Sequence, residues 1–244
     1  MRLTVIGCSG SHPGPDSACS SYLVEHEGFR LLVDLGNGAL GELQRHADPR
    51  DVDALFLTHL HGDHWLDLVP LAHVRRHHPD GRVPKPLRVF APTSERDRVS
   101  GAFGGANLDD VFAFEAPRDT EVGPFALSVM RTAHPVETHA VKIATRGHTF
   151  VYTADTGWFP ELVDFARDAD LLLAEAGFID GAANPNGVHL TATQAGELAN
   201  ASNVARLVAT HVAPWHDAAA QARRAAVAFG GPTELARRGA TFDV

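Results

Sequence analysis

A run of metal-ligating residues constrains this chain more than any other sequence feature. Residues His59–His64 have the sequence HLHGDH, directly after the apolar strand pattern Ala54–Leu57 and just before an apolar helical pattern. Three imidazoles and one carboxylate on a tight loop are costly to bring together unless a cation holds them. Imidazole combined with carboxylate suits zinc or a related first-row ion. The run therefore predicts a metal site, and two such clusters that share a carboxylate would form a two-metal site.

Strand and helix patterns alternate around this run and predict a layered α/β fold. Two blocks have the pattern of antiparallel strands, namely Leu3–Ile6, Ser21–Glu25 and Phe29–Asp34, and later Phe125–Thr132, Val141–Thr145 and Thr149–Thr153. Helices are expected at Asn37–Arg45, from Leu66 toward His77, and at Leu162–Ala166, Thr191–Ala201 and Asp217–Phe229. Further strands are expected at Leu87–Ala91, Val111–Glu115, Leu171–Ala174 and Arg206–Thr210. A purely parallel sheet does not explain the antiparallel blocks, so we expect a four-layer α/β/β/α sandwich.

Composition bounds the domain organisation and the partners. The 244 residues are 44% hydrophobic and contain no linker or low-complexity tract, which predicts one domain over residues 1–244. A formal net charge of −9 disfavours a large basic surface for long nucleic acid. The apolar run Met1–Ile6 is too short for a signal peptide, and no segment has the length and apolar character of a membrane span. We therefore expect a cytoplasmic protein, with Cys8 and Cys19 as reduced thiols.

The run His59–His64 matches the HxHxDH motif of the metallo-β-lactamase superfamily, which the chain resembles from end to end. The resemblance implies two divalent metal ions, zinc first, with manganese or iron as alternatives. One ion would take His59, His61 and His134, and the other Asp63, His64 and His211, with Asp155 bridging them. Asp34 resembles an aspartate that supports the metal loop without binding metal. His139 competes with His134 for its position in this set.

Two further motifs resemble the phosphodiesterase branch of that superfamily, which includes RNase Z, the tRNA 3′-processing endoribonuclease. They are the segments Glu175–Phe178 and Val188–Ala199. The resemblance implies that Glu175 and His189 form a dyad in which histidine gives a proton to the leaving oxygen, while Asp63 assists the attack of a hydroxide activated by the metals. Thr191 is expected to cap a helix whose first turn faces a substrate phosphate.

The chain departs from RNase Z where that enzyme contacts tRNA. The N-terminal loop His12–Cys19 contains no Arg or Lys, and the segment between Thr93 and Phe125 is too short and too acidic for an evident tRNA-binding arm. The segments Gly7–Ser11 and Tyr22–His26 resemble relatives that are cyclic-nucleotide phosphodiesterases. These features favour a small phosphodiester substrate, a cyclic nucleotide above all, and the resemblance also implies a homodimer.

Other interpretations remain open at the level of sequence. tRNA 3′-processing would need a positive groove, for which Arg75, Arg76, Lys85 and Arg88 are the candidates. Thioester or lactone hydrolysis would use the same metals, and a metal-binding module without turnover is a further alternative. Trp215 either stacks on a base or, more commonly for a tryptophan, packs in the core. His12, His77, His78 and His216 are expected in loops or at the surface, where His216 could line the site.

Overall fold

Two β-sheets packed face to face form the centre of the protein, and helices cover their outer faces. The computed structural model describes residues 1–94 and 96–244. The helices are α1 (Ala39–Leu43), α2 (Gly62–Trp65), α3 (Leu68–His77), α4 (Arg96–Ala102), α5 (Glu161–Ala166), α6 (Ala192–Ala201) and α7 (Ala218–Phe229), with a short 3-10 turn at Pro49–Asp51.

The first sheet comes mostly from the N-terminal half of the chain. Its strands are β1 (Arg2–Ser9), β2 (Ala18–Cys19), β3 (Ser21–His26), β4 (Phe29–Val33), β5 (Ala54–Phe56), β6 (Leu87–Phe90), β7 (Phe112–Glu115) and β15 (Thr241–Asp243). The strand order is β15-β1-β3-β4-β5-β6-β7, with β2 paired to β1. As predicted, β1, β3 and β4 form an antiparallel meander. From β4 to β7 the pairing is parallel.

The second sheet comes from the C-terminal half. Its strands are β8 (Thr120–Val122), β9 (Phe125–Arg131), β10 (His139–Thr145), β11 (His148–Tyr152), β12 (Leu171–Glu175), β13 (Leu207–Thr210) and β14 (Thr233–Leu235). They lie in the order β14-β13-β12-β11-β10-β9-β8. Strands β8 to β11 are antiparallel neighbours, whereas β11, β12, β13 and β14 run parallel.

Alternation of side chains along the strands generates the layers. In β4, Leu31 and Val33 pack in the core between the sheets, whereas Leu32 packs with α1 and α3 on the outer face. In β12, Leu173 belongs to the inner core and Leu172 packs beneath α5, α6 and α7. Because successive residues of a strand face opposite sides of the sheet, both sheets bury both faces. The predicted four-layer α/β/β/α sandwich is confirmed.

The structure corrects several element boundaries. The helix expected over Asn37–Arg45 is limited to Ala39–Leu43, and the helix expected from Leu66 begins at Leu68 as α3, preceded by a separate short helix, α2. Asp63 and His64 consequently lie inside α2 and not on an irregular loop. Sequence patterns also missed β8, α4, β14 and β15, because short edge strands and a polar helix have too few apolar residues for a clear periodicity. No helix among the described residues is long and apolar enough to cross a membrane.

The parallel strands direct their carboxyl ends to one edge of the sandwich. Because β4 and β5 are parallel, and likewise β11, β12 and β13, the residues that follow them meet at this edge. Asp34, Ala154 and His211 follow three of these strands with φ values of 58°, 52° and 56°. The left-handed conformation costs a non-glycine residue roughly 1–2 kcal/mol. Such strain at three strand ends marks this edge as a candidate functional region.

Two buried tyrosines between the sheets give a test of the packing at this edge. The hydroxyl of Tyr22 lies 2.7 Å from Thr210 Oγ1 of the opposite sheet, directly before His211. We expect Tyr22→Phe to lower the free energy of unfolding by about 1–3 kcal/mol, because it leaves the buried Thr210 hydroxyl without a partner. The matched control is Tyr152→Phe, since the buried Tyr152 hydroxyl makes no hydrogen bond in the described structure. Urea unfolding measures both variants, and equal losses would contradict this explanation.

Candidate metal centre

Asp34 organises the loop that carries the histidine run. Its fully buried carboxylate accepts hydrogen bonds from the backbone N–H of Thr58 at 2.8 Å and from the Thr58 hydroxyl at 2.9 Å. His64 Nδ1 donates to the same carboxylate at 2.8 Å. Thr58 Oγ1, which donates to Asp34, is left to accept from His59 Nδ1 at 3.1 Å. Both histidines thus use Nδ1 for support, and this leaves the lone pair of each Nε2 available to a cation.

A first group of ligand atoms forms around His59, His61, His134 and Asp155. The ligand atoms of these four residues all lie within 4.8 Å of one another. His61 Nδ1 is 3.1 Å from His59 Nε2 and 3.1 Å from His134 Nε2. The outer nitrogen of His134, Nδ1, donates to the carbonyl of Val188 at 2.8 Å. Three imidazole lone pairs therefore converge with one carboxylate, which is a ligand set typical of zinc.

A second group adjoins the first and contains Asp63, His64 and His211. His211 Nε2 lies 3.3 Å from His64 Nε2 and 3.2 Å from Asp63 Oδ2. The backbone N–H of Ser11 donates to the same Asp63 oxygen at 2.7 Å. The N-terminal loop thereby orients the Asp63 carboxylate toward the histidines.

Asp155 lies between the two groups and presents one oxygen to each. Its Oδ2 is 3.6 Å from His59 Nε2, and its Oδ1 is 3.4 Å from His64 Nε2 and 3.5 Å from His211 Nε2. Asp155 is 2% exposed, and Oδ1 makes no hydrogen bond with the described residues. This is the arrangement expected of a carboxylate that bridges two cations.

The donor set fits divalent metal ions. Lone pairs of buried imidazoles and a buried carboxylate oxygen without a hydrogen-bond donor face one another at 3.1–3.6 Å. Such groups repel in a medium of low dielectric unless protons or cations lie between them. The His/Asp cluster can therefore hold metal ions, in the arrangement that the superfamily resemblance implies.

The electrostatic environment favours the protonation states in which several of these side chains can bind a metal ion. Burial lowers the pKa of His59, His61 and His134, so their imidazoles are neutral. Burial alone would raise the pKa of Asp155, but the facing imidazoles lower it well below its usual range. His64 differs: burial lowers its pKa, whereas the carboxylates of Asp155 and Asp34 raise it more. A cation at the second group must therefore displace a proton from His64.

Glu175 and His189 form the predicted dyad beside Asp155. Glu175 is completely buried at the end of β12, and its Oε1 accepts from His189 Nδ1 at 2.9 Å and from the backbone N–H of Thr156 at 2.7 Å. His189 Nδ1 also lies 3.8 Å from Asp155 Oδ2. Burial lowers the pKa of His189, but the charge and hydrogen bond of Glu175, with the charge of Asp155, raise it to about 9. The imidazole is thus a proton donor at neutral pH.

The structure distinguishes between the two candidate third-motif histidines. His134 contributes Nε2 to the first group of ligand atoms. His139 begins β10, where its backbone N–H donates to the carbonyl of Thr58 at 3.0 Å and its buried Nδ1 makes no hydrogen bond among the described residues. His139 belongs to none of the ligand groups found in the described part of the chain.

Two amides in the first turn of α6, those of Thr193 and Gln194, already have acceptors and are not free for a phosphate, in contrast to the expectation from the sequence. Thr191 caps the helix as predicted, but its hydroxyl accepts from the Gln194 backbone N–H at 3.3 Å, while Gln194 Oε1 accepts from the Thr191 N–H at 2.9 Å. The Thr193 N–H points at Asp180 Oδ2, 3.4 Å away. A complete capping box and a nearby carboxylate therefore take up these donors.

Most of the basic residues considered for a tRNA-binding groove already have partners in the fold. Arg75 is buried and donates to the backbone carbonyls of Arg50 and Lys85. Arg76 forms an ion pair with Asp110, and Arg88 forms one with Glu115. The sequence could not reveal this, because each acidic partner lies about thirty positions away in the chain. Lys85 is exposed. Three of the four candidates are therefore buried or paired with a carboxylate, which does not favour a tRNA-binding groove.

An aromatic group forms one rim of the candidate site. Trp215 is 62% exposed, so the prediction that it packs in the core is wrong. The His12 ring lies 5.1 Å from the Trp215 ring, and Trp215 Nε1 donates to His216 Nε2 at 3.0 Å. His12 is exposed and His216 is half-buried, and both lie outside the helices and strands, as expected. This rim adjoins the second group, since Ser11 contacts Asp63.

Sequence reasoning missed a second wall, on the dyad side of the cluster. Trp158 and Phe178, together with residues 184–187, line a cavity that reaches His189. Phe178 was noted only as part of the Glu175–Phe178 motif, and Trp158 was not singled out. Their proximity arises from the meeting of β11, β12 and the segment before α6, which no local pattern reports.

The fold and the cluster together define a metallo-hydrolase of the β-lactamase fold. Residues 29–212 match the Beta-lactamase superfamily domain, and the chain belongs to that superfamily.

Relatives of similar length extend this likeness over the whole chain. The uncharacterized protein ML1173 of Mycobacterium leprae is 39% identical, over all of this chain and 89% of its own length. The probable metallo-hydrolase YhfI of Bacillus subtilis is 28% identical over the full length of both proteins. The crystal structure of YhfI superposes with a TM-score of 0.89, covering 99% of this chain and 98% of YhfI.

A longer relative is a ribonuclease Z of Halorubrum lacusprofundi. It is 28% identical, and the match covers 100% of this chain and 97% of the ribonuclease. The alignment has 305 positions for the 244 residues of this chain, so the ribonuclease has additional segments. The resemblance to the RNase Z branch that the two further motifs predicted is thus confirmed.

A pair of histidine variants tests the assignment of the first group. We expect His134→Ala to weaken metal binding by more than the roughly 10–100-fold that loss of a supporting hydrogen bond costs, because it removes a direct ligand. His139→Ala is the matched control and should retain the metal content of the parent protein. Elemental analysis after dialysis measures both. Loss of metal from the His139 variant alone would reverse the assignment.

Proposed function

We propose that this protein is a metal-dependent phosphodiesterase that hydrolyses a small phosphodiester, with a cyclic nucleotide as the preferred candidate. The observation that carries the proposal is the dyad, in which buried Glu175 holds His189 within 3.8 Å of Asp155. Hydrolysis of a thioester expels a thiolate, which departs more readily than the alkoxide of a phosphodiester. A histidine held as a proton donor beside the metal cluster therefore favours phosphodiester chemistry.

The two groups of ligand atoms would hold the metal ions, His59, His61 and His134 on one side, Asp63, His64 and His211 on the other, and Asp155 between them. When bound, these ions would activate a water molecule and stabilise negative charge on the phosphoryl oxygens. We propose zinc, which this combination of imidazole and carboxylate suits.

Residues of the chain would control the protons of the reaction. The new bond joins the water oxygen to phosphorus, and the bond from phosphorus to the leaving oxygen breaks. His189, with Nδ1 held by Glu175, would give the proton on its other nitrogen to that leaving oxygen. Asp63, which the Ser11 N–H orients, would position the attacking water and assist removal of its proton.

Charge and size favour a small substrate over tRNA. Arg76 and Arg88 are paired with carboxylates, and Arg75 is buried. The formal net charge is −9, and the chain lacks counterparts for the additional segments of the ribonuclease Z relative. A mononucleotide needs neither a long basic groove nor an arm.

We further propose that the protein is cytoplasmic and that its single-domain chains form a homodimer. Light scattering would test the homodimer.

A substrate panel tests the proposed activity. We expect metal-loaded protein to hydrolyse cyclic AMP and bis(p-nitrophenyl) phosphate, and a chelator to abolish both activities until metal is restored. Precursor tRNA is the second candidate, supported by the likeness to ribonuclease Z, and its cleavage would fall steeply as salt increases. Turnover of thioesters or lactones, without activity on any phosphodiester, would contradict the proposal.

The dependence of the rate on the leaving group tests the dyad. We expect His189→Ala to lower kcat for cyclic AMP by about 10²–10⁴-fold, because the alkoxide must receive a proton as it leaves. The loss for bis(p-nitrophenyl) phosphate should be far smaller, since p-nitrophenolate departs without protonation. Glu175→Gln should follow the same pattern. Equal losses for the two substrates would show that these residues do not supply the proton.

A further inference from the structure

A cavity adjoins the dyad at His189. Its volume is about 260 Å³, and its lining includes Trp158, Phe178, Asn184, Asn186, His189 and Gln194. A site for a complete drug-sized ligand usually occupies roughly 300–1,000 Å³. The cavity is therefore large enough for one part of a substrate and too small for all of it.

The cavity is structurally continuous with the reacting centre. The edge of the Phe178 ring packs against His189, with ring centres 4.9 Å apart and planes at 88°. The segment on the other side of the cavity ends at Val188, whose carbonyl accepts from His134. Gly157 permits the close approach of this segment, because a Cβ there would lie 2.6 Å from the Cα of Gly187. A group in the cavity is thus held next to the proposed proton donor.

The chemistry of the lining favours an uncharged planar ring. Among the described residues, no Lys, Arg, Asp or Glu side chain lines the cavity. Trp158 lines the cavity and is 39% exposed, so part of its ring surface is available for stacking. A phosphate would find no cationic side chain there other than His189.

Side-chain amides supply directional groups around that ring. Asn184 Nδ2 donates to the carbonyl of Ile179 at 2.8 Å, which fixes the side chain and leaves Oδ1 as an acceptor. Gln194 uses Oε1 in the helix cap and keeps its amino group as a donor. Asn186 is exposed. Fixed donors and acceptors beside an indole face match the mixed polar edge and flat faces of a heterocyclic base.

We propose that this cavity binds the nucleobase of the substrate, with Trp158 stacking on the base and the amides of Asn184, Asn186 and Gln194 contacting its edge. The inference rests on the proposed phosphodiesterase function and specifies the substrate as a nucleotide. His189 lies between the cavity and the metal ligands. The base in the cavity therefore belongs to the nucleoside whose leaving oxygen His189 would protonate. Trp158 is then a specificity residue and not a catalytic residue.

Binding measurements test the cavity without turnover. Calorimetry on metal-loaded protein would compare AMP with ribose 5-phosphate, which has the same phosphate and sugar without the base. We expect Trp158→Ala to weaken AMP binding by about 5–150-fold, the usual range for loss of a stacked base, with no change for ribose 5-phosphate. Asn186→Ala should weaken AMP alone, by a smaller factor. Trp215→Ala tests the alternative that the other aromatic rim stacks on the base, and the inference requires a larger loss of AMP binding for Trp158→Ala than for Trp215→Ala.

Several outcomes would overturn the inference. The parent protein could bind both ligands equally, Trp158→Ala could weaken both to the same extent, or the loss could follow Trp215 instead. In the same proteins, the ratio of kcat/KM for cyclic AMP to that for abasic ribose 3′,5′-cyclic phosphate should fall toward one on Trp158→Ala. Failure of the parent to hydrolyse any phosphodiester would count against the proposed function, whereas base-dependent AMP binding holds or fails independently of turnover.

Discussion

The structure depends on the position of Asp155 between two sets of imidazoles. One carboxylate oxygen faces His59 at 3.6 Å, and the other faces His64 and His211 at 3.4 and 3.5 Å. In a buried site, charges and lone pairs at such distances attract or repel strongly, and a cation on each side of the carboxylate would satisfy all of them. The sheets hold this carboxylate in a buried position, where its Oδ1 accepts no hydrogen bond from the described residues.

Residues at the ends of strands in both sheets hold the side chains of this site in position. Asp34 fixes His64 and Thr58 from the first sheet, and Glu175 fixes His189 from the second. Asp34 and His211 also adopt left-handed conformations, each costing roughly 1–2 kcal/mol. The core between the sheets must offset this strain, and it is completed by large side chains such as Phe56 and Phe150. Such support keeps ligands in place before a cation arrives.

Strand and helix patterns were sufficient to predict the four layers, and the resemblance to the superfamily implied the order of the candidate ligands and the pairing of Glu175 with His189. Those features follow from strand periodicity and from motifs whose residues are close in sequence or follow strand ends. Contacts between distant segments were not predictable. The pairing of Arg76 with Asp110, the amides occupied at the start of α6 and the cavity beside Trp158 all depend on tertiary neighbours. The short edge strand β8 was not predicted for a related reason. It is defined by its pairing with β9, and its own residues show no clear strand pattern.

The central claim is that Asp155 bridges two metal ions, and anomalous diffraction from crystals of metal-loaded protein tests it most directly. The account predicts two anomalous peaks, one among His59, His61 and His134 and one among Asp63, His64 and His211, with one Asp155 oxygen directed at each. A single peak, or peaks that Asp155 does not contact, would contradict it.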